Sequence, residues 1–265
     1  MDSLHGNVER FTGFAGLYDS VRPHFPQEAV QLIVRYLGHK PKRVVDLGCG
    51  TGLSTFAWRT HSDEVIGVEP NTDMAAQAAE KSAENVHFQR AYAHDTGLPS
   101  ASADVVVCSQ SFHWMEPTTT LTEANRILTD GGVFAAVDCD WPPVCDWRAE
   151  QAYQELISEV ERLIATYPAA KDSSRVNPKQ QHLENIRRSG LFRYVREIVF
   201  SSEAALSAER LIGLAESQGN VQSMLKRTPE LVQRPLERFR EAVSQALGEE
   251  SAVGAFCYRM RLGIK

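Results

Sequence analysis

An α/β fold built on a doubly wound, mostly parallel sheet is the architecture that this sequence of 265 residues predicts. Two observations lead to it. Short apolar runs rich in β-branched residues recur along the chain, and stretches with helical spacing separate them. Strands that alternate with helices form βαβ units, whose right-handed crossovers build a parallel sheet with helices on both faces. Ligands of such sheets bind at the carboxyl ends of the strands, near the point where the strand order reverses.

The first half of the chain carries the clearest alternation. The predicted strands are residues 42–48, 64–69, 85–91, 103–109 and 132–138, and the predicted helices are residues 53–58, 71–82 and 118–128. In the second half, helices are predicted over residues 150–166, 182–192, 208–225 and 230–247, and strands over residues 195–203 and 255–264. Because these helices are interspersed with strands, we expect a single domain, residues 1–265, in which an α-helical cap accompanies the sheet.

Composition narrows the function classes. The formal net charge is −6 and the sequence pI is about 5.8, which argues against a dedicated nucleic-acid binder. No run of about eighteen apolar residues is present, so we expect no membrane span, and the N-terminus lacks the apolar region of a signal peptide. The five cysteines are scattered without a C-x-x-C pair, which predicts neither disulfides nor a metal site. A cytoplasmic protein is the expectation.

The motif V-V-D-L-G-C-G-T-G occupies residues 44–52. Its glycines, Gly48, Gly50 and Gly52, allow the backbone to pass close to a ligand at the end of the first strand. Glu69 ends the second strand, 19 positions after Gly50, where a carboxylate can accept hydrogen bonds from ribose hydroxyls. The combination predicts a nucleoside-binding site.

The glycine spacing separates two kinds of nucleoside ligand. A dinucleotide site has the pattern G-x-G-x-x-G, with the pyrophosphate on a helix N-terminus. This chain has G-x-G-x-G, with Leu53 in place of the last glycine, and Asp46 stands two residues before the loop. A carboxylate there would repel a pyrophosphate but suits a ligand that carries an ammonium group. A nicotinamide-dependent oxidoreductase is therefore disfavoured.

The chain resembles the class I S-adenosylmethionine-dependent methyltransferases in one motif, D-L-G-C-G-T-G followed downstream by E-P. Three further segments are similar to the small-molecule branch of these enzymes, which includes the methyltransferase type 11, trans-aconitate and ubiquinone/menaquinone methyltransferases. They are Y-D-S-V-R-P-H-F-P (residues 18–26), A-H-D-T-G-L-P (residues 93–99) and S-F-H-W (residues 111–114). The resemblance covers about residues 10–140 and is weak after Trp141. It implies a Rossmann-like fold with a seven-stranded sheet.

The resemblance also implies a division of the chain and a set of cofactor contacts. Residues 1–40 would form N-terminal lid helices, residues 41–140 the cofactor-binding core, and residues 141–265 the C-terminal half of the sheet with the cap. The residues expected to contact S-adenosylmethionine, or the product S-adenosylhomocysteine, are Tyr18, Arg22, Asp46, Gly48, Cys49, Gly50, Glu69, Pro70, Asn71, Ala93, His94, Asp95, Ser109 and Gln110. Asp46 would lie near the amino end of the cofactor's methionine moiety, and Glu69 would bind both ribose hydroxyls. His94 replaces the usual acidic residue, so Asp95 is the alternative contact.

His113, Trp114 and Trp141 are the candidate substrate-binding residues. His113 follows the fourth strand, where an imidazole could accept a proton from the acceptor, or it could be a packing histidine. Trp114, Trp141 and also Trp147 could line an apolar pocket, or they could fill the space between the cap and the sheet.

Other charged residues are weaker candidates. Asp138 and Asp140 could orient a substrate, although strand-ending carboxylates are more often solvated caps. Arginines that could clamp a substrate carboxylate, each more often a surface residue, are Arg22, Arg148, Arg175 and Arg259.

The expected function is methyl transfer to a small organic acceptor, at a carboxylate or hydroxyl oxygen first and at a carbon next to a carbonyl second. The alternative is a non-catalytic regulator that retains the cofactor pocket and binds a partner through its cap. RNA methylation is disfavoured by the charge and by the lack of a basic appendage. The oligomeric state stays open, with a homodimer allowed.

Overall fold

The computed structural model describes residues 15–170, 176–249 and 251–265. Seven strands in this part of the chain form one sheet. In chain order they are β1 (Arg43–Leu47), β2 (Glu64–Val68), β3 (Val86–Gln89), β4 (Ala103–Ser109), β5 (Leu128–Cys139), β6 (Tyr194–Leu206) and β7 (Ala252–Ile264). Their order across the sheet is β3-β2-β1-β4-β5-β7-β6.

The pairing from β3 to β5 is parallel throughout, and β7 pairs with β5 in the antiparallel sense. The predicted mostly parallel, doubly wound sheet is thereby confirmed. The strand order reverses between β1 and β4, which are direct neighbours, so the segments that follow these two strands meet at the same edge of the sheet.

The central strands are apolar along nearly their whole length because helices cover both faces of the sheet. Val44 and Val45 of β1 and residues 105–107 of β4 are fully buried. All five residues are valines, whose β-branched side chains pack well on a pleated surface. This burial fixes the positions of the loops that leave the ends of β1 and β4.

The helices lie between and after these strands. Their bounds are α1 (Ala15–Val21), α2 (Gln27–Leu37), α3 (Leu53–Ala57), α4 (Thr72–Glu80), α5 (Pro117–Ile127), α6 (Trp147–Thr166), α7 (His182–Arg188), α8 (Ala208–Glu216), α9 (Gly219–Arg227) and α10 (Pro229–Leu247). Several begin at a capping side chain, which satisfies a backbone N–H of the first turn. The Asn71 side chain accepts the N–H of Met74 at the start of α4, and Ser207 accepts that of Arg210 at the start of α8.

Two compact units make up the chain. Of the described residues, one unit contains 24–139, 176–200 and 258–265 and is here called the sheet unit. The other contains residues 15–23, 140–170, 201–249 and 251–257 and is here called the helical unit, since α1, α6 and α8–α10 belong to it. Within the helical unit, α6 packs along α10, and α1 packs on α8.

Two helices end earlier than the sequence predicts. The stretch 208–225 is divided into α8 and α9 at Ser217, whose backbone carbonyl accepts a hydrogen bond from Arg22 at 2.9 Å. The stretch 182–192 ends at Arg188, because Gly190 turns the chain with a φ of +66°. A left-handed glycine just beyond the last turn is a common helix ending.

Within the residues described, we find no helix whose length and apolar character would let it cross a bilayer.

Candidate active site

The glycine-rich loop after β1 uses backbone conformations that other residues rarely adopt. Gly48, Gly50 and Gly52 have φ values of +67°, +56° and +87°, in the left-handed region that glycine enters without steric cost. A Cβ atom on Gly48 would lie 2.7 Å from Cε of Met115 and 2.8 Å from Cβ of Ser111. A Cβ atom on Gly50 would meet nothing within 4 Å. The loop therefore packs tightly at Gly48 and leaves open space beside Gly50.

Asp46 lies in β1 and is fully buried beneath this loop. Its Oδ2 accepts hydrogen bonds from Ser54 Oγ at 2.6 Å and from Thr55 Oγ1 at 2.8 Å, which joins the strand to helix α3. Its Oδ1 has no hydrogen-bond partner among the described residues. Burial raises the pKa of Asp46 to about 6, although both hydroxyl groups oppose the rise. Asp46 thus connects the two ends of the loop and keeps one oxygen unpaired.

Glu69 follows β2 and joins that strand to the middle of the loop. Its Oε2 accepts the backbone N–H of Gly50 at 2.9 Å, and its Oε1 accepts that of Asn71 at 2.8 Å. Burial raises the pKa of Glu69, while these two backbone donors lower it. A carboxylate offers about four acceptor sites, so each oxygen can accept a second hydrogen bond from a ligand hydroxyl.

The residues expected at the adenine edge follow β2 and β3, which are neighbours in the sheet. Ala93 is buried, whereas His94 and Asp95 are exposed. The turn is closed by the backbone of Asp95, which donates to the carbonyl of Tyr92 at 3.1 Å, and the rings of His94 and Tyr92 lie 5.4 Å apart. Pro70 is half-buried and Cys49 is buried.

The segment after β4 packs directly on the glycine loop. Ser109 ends the strand and is half-buried, and Gln110 turns the chain with a φ of +53°. Such a conformation costs a non-glycine residue about 1–2 kcal/mol and tends to occur at functional sites. Ser111 Oγ then donates to the carbonyl of Leu47 at 2.7 Å. The ends of β1 and β4 are therefore hydrogen-bonded to each other at the switch point of the sheet.

Asp138, near the end of β5, is the centre of a buried charge cluster. Its Oδ2 accepts from Arg261 NH1 at 2.9 Å and lies 3.0 Å from His182 Nδ1, while Lys179 Nζ lies 3.2 Å from Oδ1. Burial alone would raise the pKa of Asp138, but the facing histidines and Lys179 hold it well below its usual range. The interpretation of Asp138 as a solvated strand cap is wrong, because its side chain is only 3% exposed.

His113 stands beside this cluster, in the short 3-10 turn Phe112–Trp114. Its Nδ1 lies 3.5 Å from Asp138 Oδ1, which favours a proton on Nδ1 and leaves Nε2 as the acceptor nitrogen. Burial, helped by the charge of Lys179, lowers the pKa of His113 to about 4. The ring is therefore neutral at pH 7. Trp114 is half-buried, with its ring 4.9 Å from that of His113.

Lys179 and Asn177 are residues that the sequence did not single out. Asn177 donates its backbone N–H to the carbonyl of His113 at 2.8 Å and its Nδ2 to the carbonyl of Met115 at 2.5 Å. Lys179 Nζ donates to Gln110 Oε1 at 3.0 Å. The segment 176–182 is thus fastened along the turn that follows β4. These residues lie in a polar stretch without periodicity, so no pattern in the sequence marked them.

Three of the predicted site residues belong to the helical unit. Tyr18 lies in α1, and its side chain is outside the described part. Arg22 donates to Ser217 Oγ at 2.9 Å, and its guanidinium lies 4.9 Å from the centre of the Trp141 ring. Trp141 also packs edge-on against Phe256. Arg22 and Trp141 are therefore partners within this unit.

Three of the remaining candidates from the sequence are either exposed or close to a carboxylate. Trp147 is 70% exposed, so it does not fill a buried space. Arg148 pairs with Asp146 at 2.9 Å, and Arg259 lies 3.8 Å from Glu197. Arg175 lies outside the described residues.

The residues present fit S-adenosylmethionine. The open space beside Gly50 admits a ligand close to the backbone, Glu69 has acceptor capacity for both ribose hydroxyls, and the unpartnered Oδ1 of Asp46 suits a nearby ammonium group. These three features lie at the ends of β1 and β2, next to the turn that follows β4.

Comparison with known proteins agrees with this geometry. Residues 45–136 match the family model described as "Methyltransferase domain". The chain is 31% identical over 124 residues to "Probable S-adenosylmethionine-dependent methyltransferase CRG1" of Saccharomyces cerevisiae, which covers 44% of this chain and 43% of that protein. It is 30% identical over 146 residues to the trans-aconitate 2-methyltransferase of Acidovorax sp., covering 54% of this chain and 55% of that enzyme. The chain thus spans about half the length of these relatives.

Solved structures show the same fold. A candidate type II methyltransferase from Anaeromyxobacter dehalogenans covers 92% of this chain and 97% of its own, with a TM-score of 0.71 and 23% identity. The structure of the [4+2]-cyclase SpnF covers 100% of this chain and 95% of its own, with a TM-score of 0.53 and 16% identity. Because one fold carries both a candidate methyltransferase and a cyclase, the fold alone does not fix the reaction. The fold is that of the class I methyltransferases, and residues 45–136 of this chain are similar to the methyltransferase-domain family.

Proposed function

We propose that the protein transfers a methyl group from S-adenosylmethionine to a small organic acceptor. The observation that carries the proposal is the Glu69 carboxylate, which bridges Gly50 and Asn71 beside a loop with three left-handed glycines and open space at Gly50. A carboxylate placed in this way can bind the two hydroxyls of a ribose, and Asp46 below the loop repels phosphate. A nucleoside with a cationic substituent satisfies both conditions.

When bound, S-adenosylmethionine supplies a methyl group on a positively charged sulfur, and its transfer breaks the carbon–sulfur bond and leaves S-adenosylhomocysteine. The chain's part is to align the acceptor with that methyl group and to exclude water. Alignment of this kind can supply about 7–11 kcal/mol of a barrier. Glu69 and the loop would hold the nucleoside, while Gln110 and His113 would face the acceptor from the end of β4.

The acceptor atom that we favour is a carboxylate oxygen, with a hydroxyl oxygen or a carbon next to a carbonyl as the other options. A carboxylate is already an anion at pH 7 and needs no base. His113, with its pKa near 4, is a weak base for a hydroxyl, because general-base catalysis is most effective when the base titrates near the working pH. The Acidovorax relative is named for methylation of trans-aconitate, an organic acid, which supports the same choice.

The first experiment is a calorimetric titration of the protein with S-adenosylmethionine and S-adenosylhomocysteine, with NADH as the control ligand. We expect micromolar binding of both sulfur compounds and none of NADH. Absence of binding of either sulfur compound would contradict the proposal. Binding of NADH in their place would instead support a nicotinamide-dependent oxidoreductase, the function that the glycine spacing disfavours.

A further inference from the structure

Lys179 occupies a position that its known contacts only partly explain. Its Nζ lies 3.0 Å from Gln110 Oε1 and 3.2 Å from Asp138 Oδ1, and its side chain is 29% exposed. Gln110 follows β4 and Asp138 lies near the end of β5, two adjacent parallel strands. The ammonium group therefore stands at the ligand-binding edge of the sheet, and it is partly open to solvent.

The charge of Lys179 is not required to balance Asp138. Asp138 already has a buried partner in Arg261, at 2.9 Å and 4% exposed. The other face of Arg261 pairs with Glu197 at 2.8 Å, and Glu197 has a second cation in Arg259 at 3.8 Å, so two carboxylates already face two guanidinium groups. Lys179 therefore adds a positive charge to a cluster whose inner members are already paired. An ammonium group has three donors, and its contacts among the described residues use two of them.

The neighbours of Lys179 connect it to the proposed cofactor site. Gln110, which receives one of its hydrogen bonds, precedes Ser111, and Ser111 bonds to the carbonyl of Leu47 next to the glycine loop. His113 on the same turn is neutral at pH 7 and adds no competing charge. The third donor of Lys179 is thus located beside the turn that we expect to face the acceptor.

We propose that Lys179 determines substrate specificity by binding an anionic group of the acceptor, so that the acceptors of this protein are organic acids. The inference rests on the proposed methyl transfer and deepens it, since it names the substrate class of the same site. A charge-assisted hydrogen bond to a carboxylate is among the stronger polar contacts. The fixed acceptor atoms Gln110 Oε1 and Asp138 Oδ1 limit where the ammonium group can point, which gives the contact geometric selectivity.

The rival interpretation is that Lys179 only stabilises the fold, by fastening segment 176–182 to Gln110 and Asp138. A structural role predicts a loss of stability in every Lys179 variant and an equal effect on acidic and neutral ligands. A specificity role predicts an effect on acids alone. The comparison of acids with their amides separates the two, because each amide keeps the shape of its acid and lacks the charge.

The test uses the full chain loaded with S-adenosylhomocysteine and titrated with succinate, benzoate and cinnamate, each beside its amide. The variants are Lys179→Met, which removes the charge, and Lys179→Arg, which keeps it. Lys40→Met is the matched control, because it changes the net charge equally at an exposed pair with Asp63. The affinity for S-adenosylhomocysteine and the thermal midpoint are measured for each protein.

We expect the wild type to bind at least one acid about tenfold or more tightly than its amide. Lys179→Met should weaken acid binding by about tenfold to a hundredfold and leave amide binding unchanged, while Lys179→Arg should stay within about fivefold of the wild type. The inference is overturned if no acid binds, if amides bind as well as acids, or if Lys179→Met keeps the preference. Failure to bind S-adenosylhomocysteine would instead remove the proposed function, and the inference with it.

Discussion

The carboxylate of Glu69 accepts the backbone N–H of Gly50 at 2.9 Å, across 19 residues of sequence. This hydrogen bond ties the end of one strand to the centre of the loop that follows its neighbour. The group proposed to bind the ribose therefore also fixes the loop proposed to pass the methionine end of the cofactor. Binding and loop geometry depend on the same side chain.

Glu69→Gln tests this dependence. A glutamine keeps the size of the side chain but turns one acceptor into a donor that faces a backbone N–H, so we expect cofactor affinity to fall by about tenfold to a hundredfold. Glu64→Gln is the matched control, because Glu64 lies at the opposite end of β2 in a partly exposed pair with Arg43. Titration calorimetry with S-adenosylhomocysteine measures both. Equal affinities in the two variants would contradict the role of Glu69.

Gly50→Ala tests the open space beside the loop. The left-handed backbone makes an alanine there cost about 1–2 kcal/mol of stability, and its methyl group would enter the space assigned to the cofactor. Gly190→Ala is the control, since its φ is +66° and a Cβ there also meets nothing within 4 Å. We expect similar losses of stability by urea denaturation, with weaker cofactor binding only in Gly50→Ala. Unchanged binding in Gly50→Ala would place the cofactor elsewhere.

His113→Ala distinguishes the acceptor atoms. With a carboxylate acceptor no proton is removed, so we expect the methyl-transfer rate to stay within a few-fold of the wild type. We also expect His113 to add no pH dependence to the wild-type rate above about pH 5, because its ring, with its pKa near 4, is already neutral there. Steady-state rates from pH 5 to 8 measure both. A fall in the His113→Ala rate by a factor of about 10²–10⁴, as the loss of a general base would give, would indicate a hydroxyl acceptor instead. His87→Ala is the control, because His87 is exposed.

Glu123→Gln tests a structural carboxylate in α5. Glu123 is buried and accepts hydrogen bonds from Arg126 at 2.6 Å and from the backbone of Thr96 at 2.9 Å. Burial would raise its pKa, but Arg126 and Thr96 lower it to about 2. The stabilisation from the ionised group is therefore complete above about pH 4.5 and is lost as the pH falls toward 2.

We expect Glu123→Gln to lower the free energy of unfolding by about 2 kcal/mol at pH 7, and the gap to the wild type to narrow below pH 4.5. Urea denaturation at several pH values measures it. Glu184→Gln, in an exposed pair with Arg188, should cost less than about 0.5 kcal/mol at any pH. A gap for Glu123→Gln that stays constant down to pH 3 would refute this account of its ionisation.

The sheet was predictable because its strands carry local information. Val44, Val45 and the valines of β4 are buried on both sides of the sheet, so the sequence shows continuous apolar runs closed by turns. The glycine loop was predictable for a similar reason, since left-handed φ values require glycine at fixed spacing. In both cases a few adjacent residues determine the structure.

The buried charge cluster around Asp138 was not predictable, because its members are distant in sequence. Arg261 is 123 residues from Asp138, and Lys179 is 69 residues from Gln110. A carboxylate at a strand end has the same sequence signature whether it is solvated or buried in an ion pair. Only tertiary packing decides between these outcomes, so the sequence pattern indicates neither the burial of Asp138 nor the position of Lys179.

Asn177 fastens segment 176–182 through the carbonyl groups of His113 and Met115. Every amino acid presents such a carbonyl, so replacement of either side chain leaves both acceptor atoms in the chain. Random substitution at positions 113 and 115 could therefore alter the surface offered to an acceptor while Lys179 keeps its place. The architecture separates what anchors the segment from what we propose to select the substrate, which makes this turn a suitable region for directed evolution of acceptor preference.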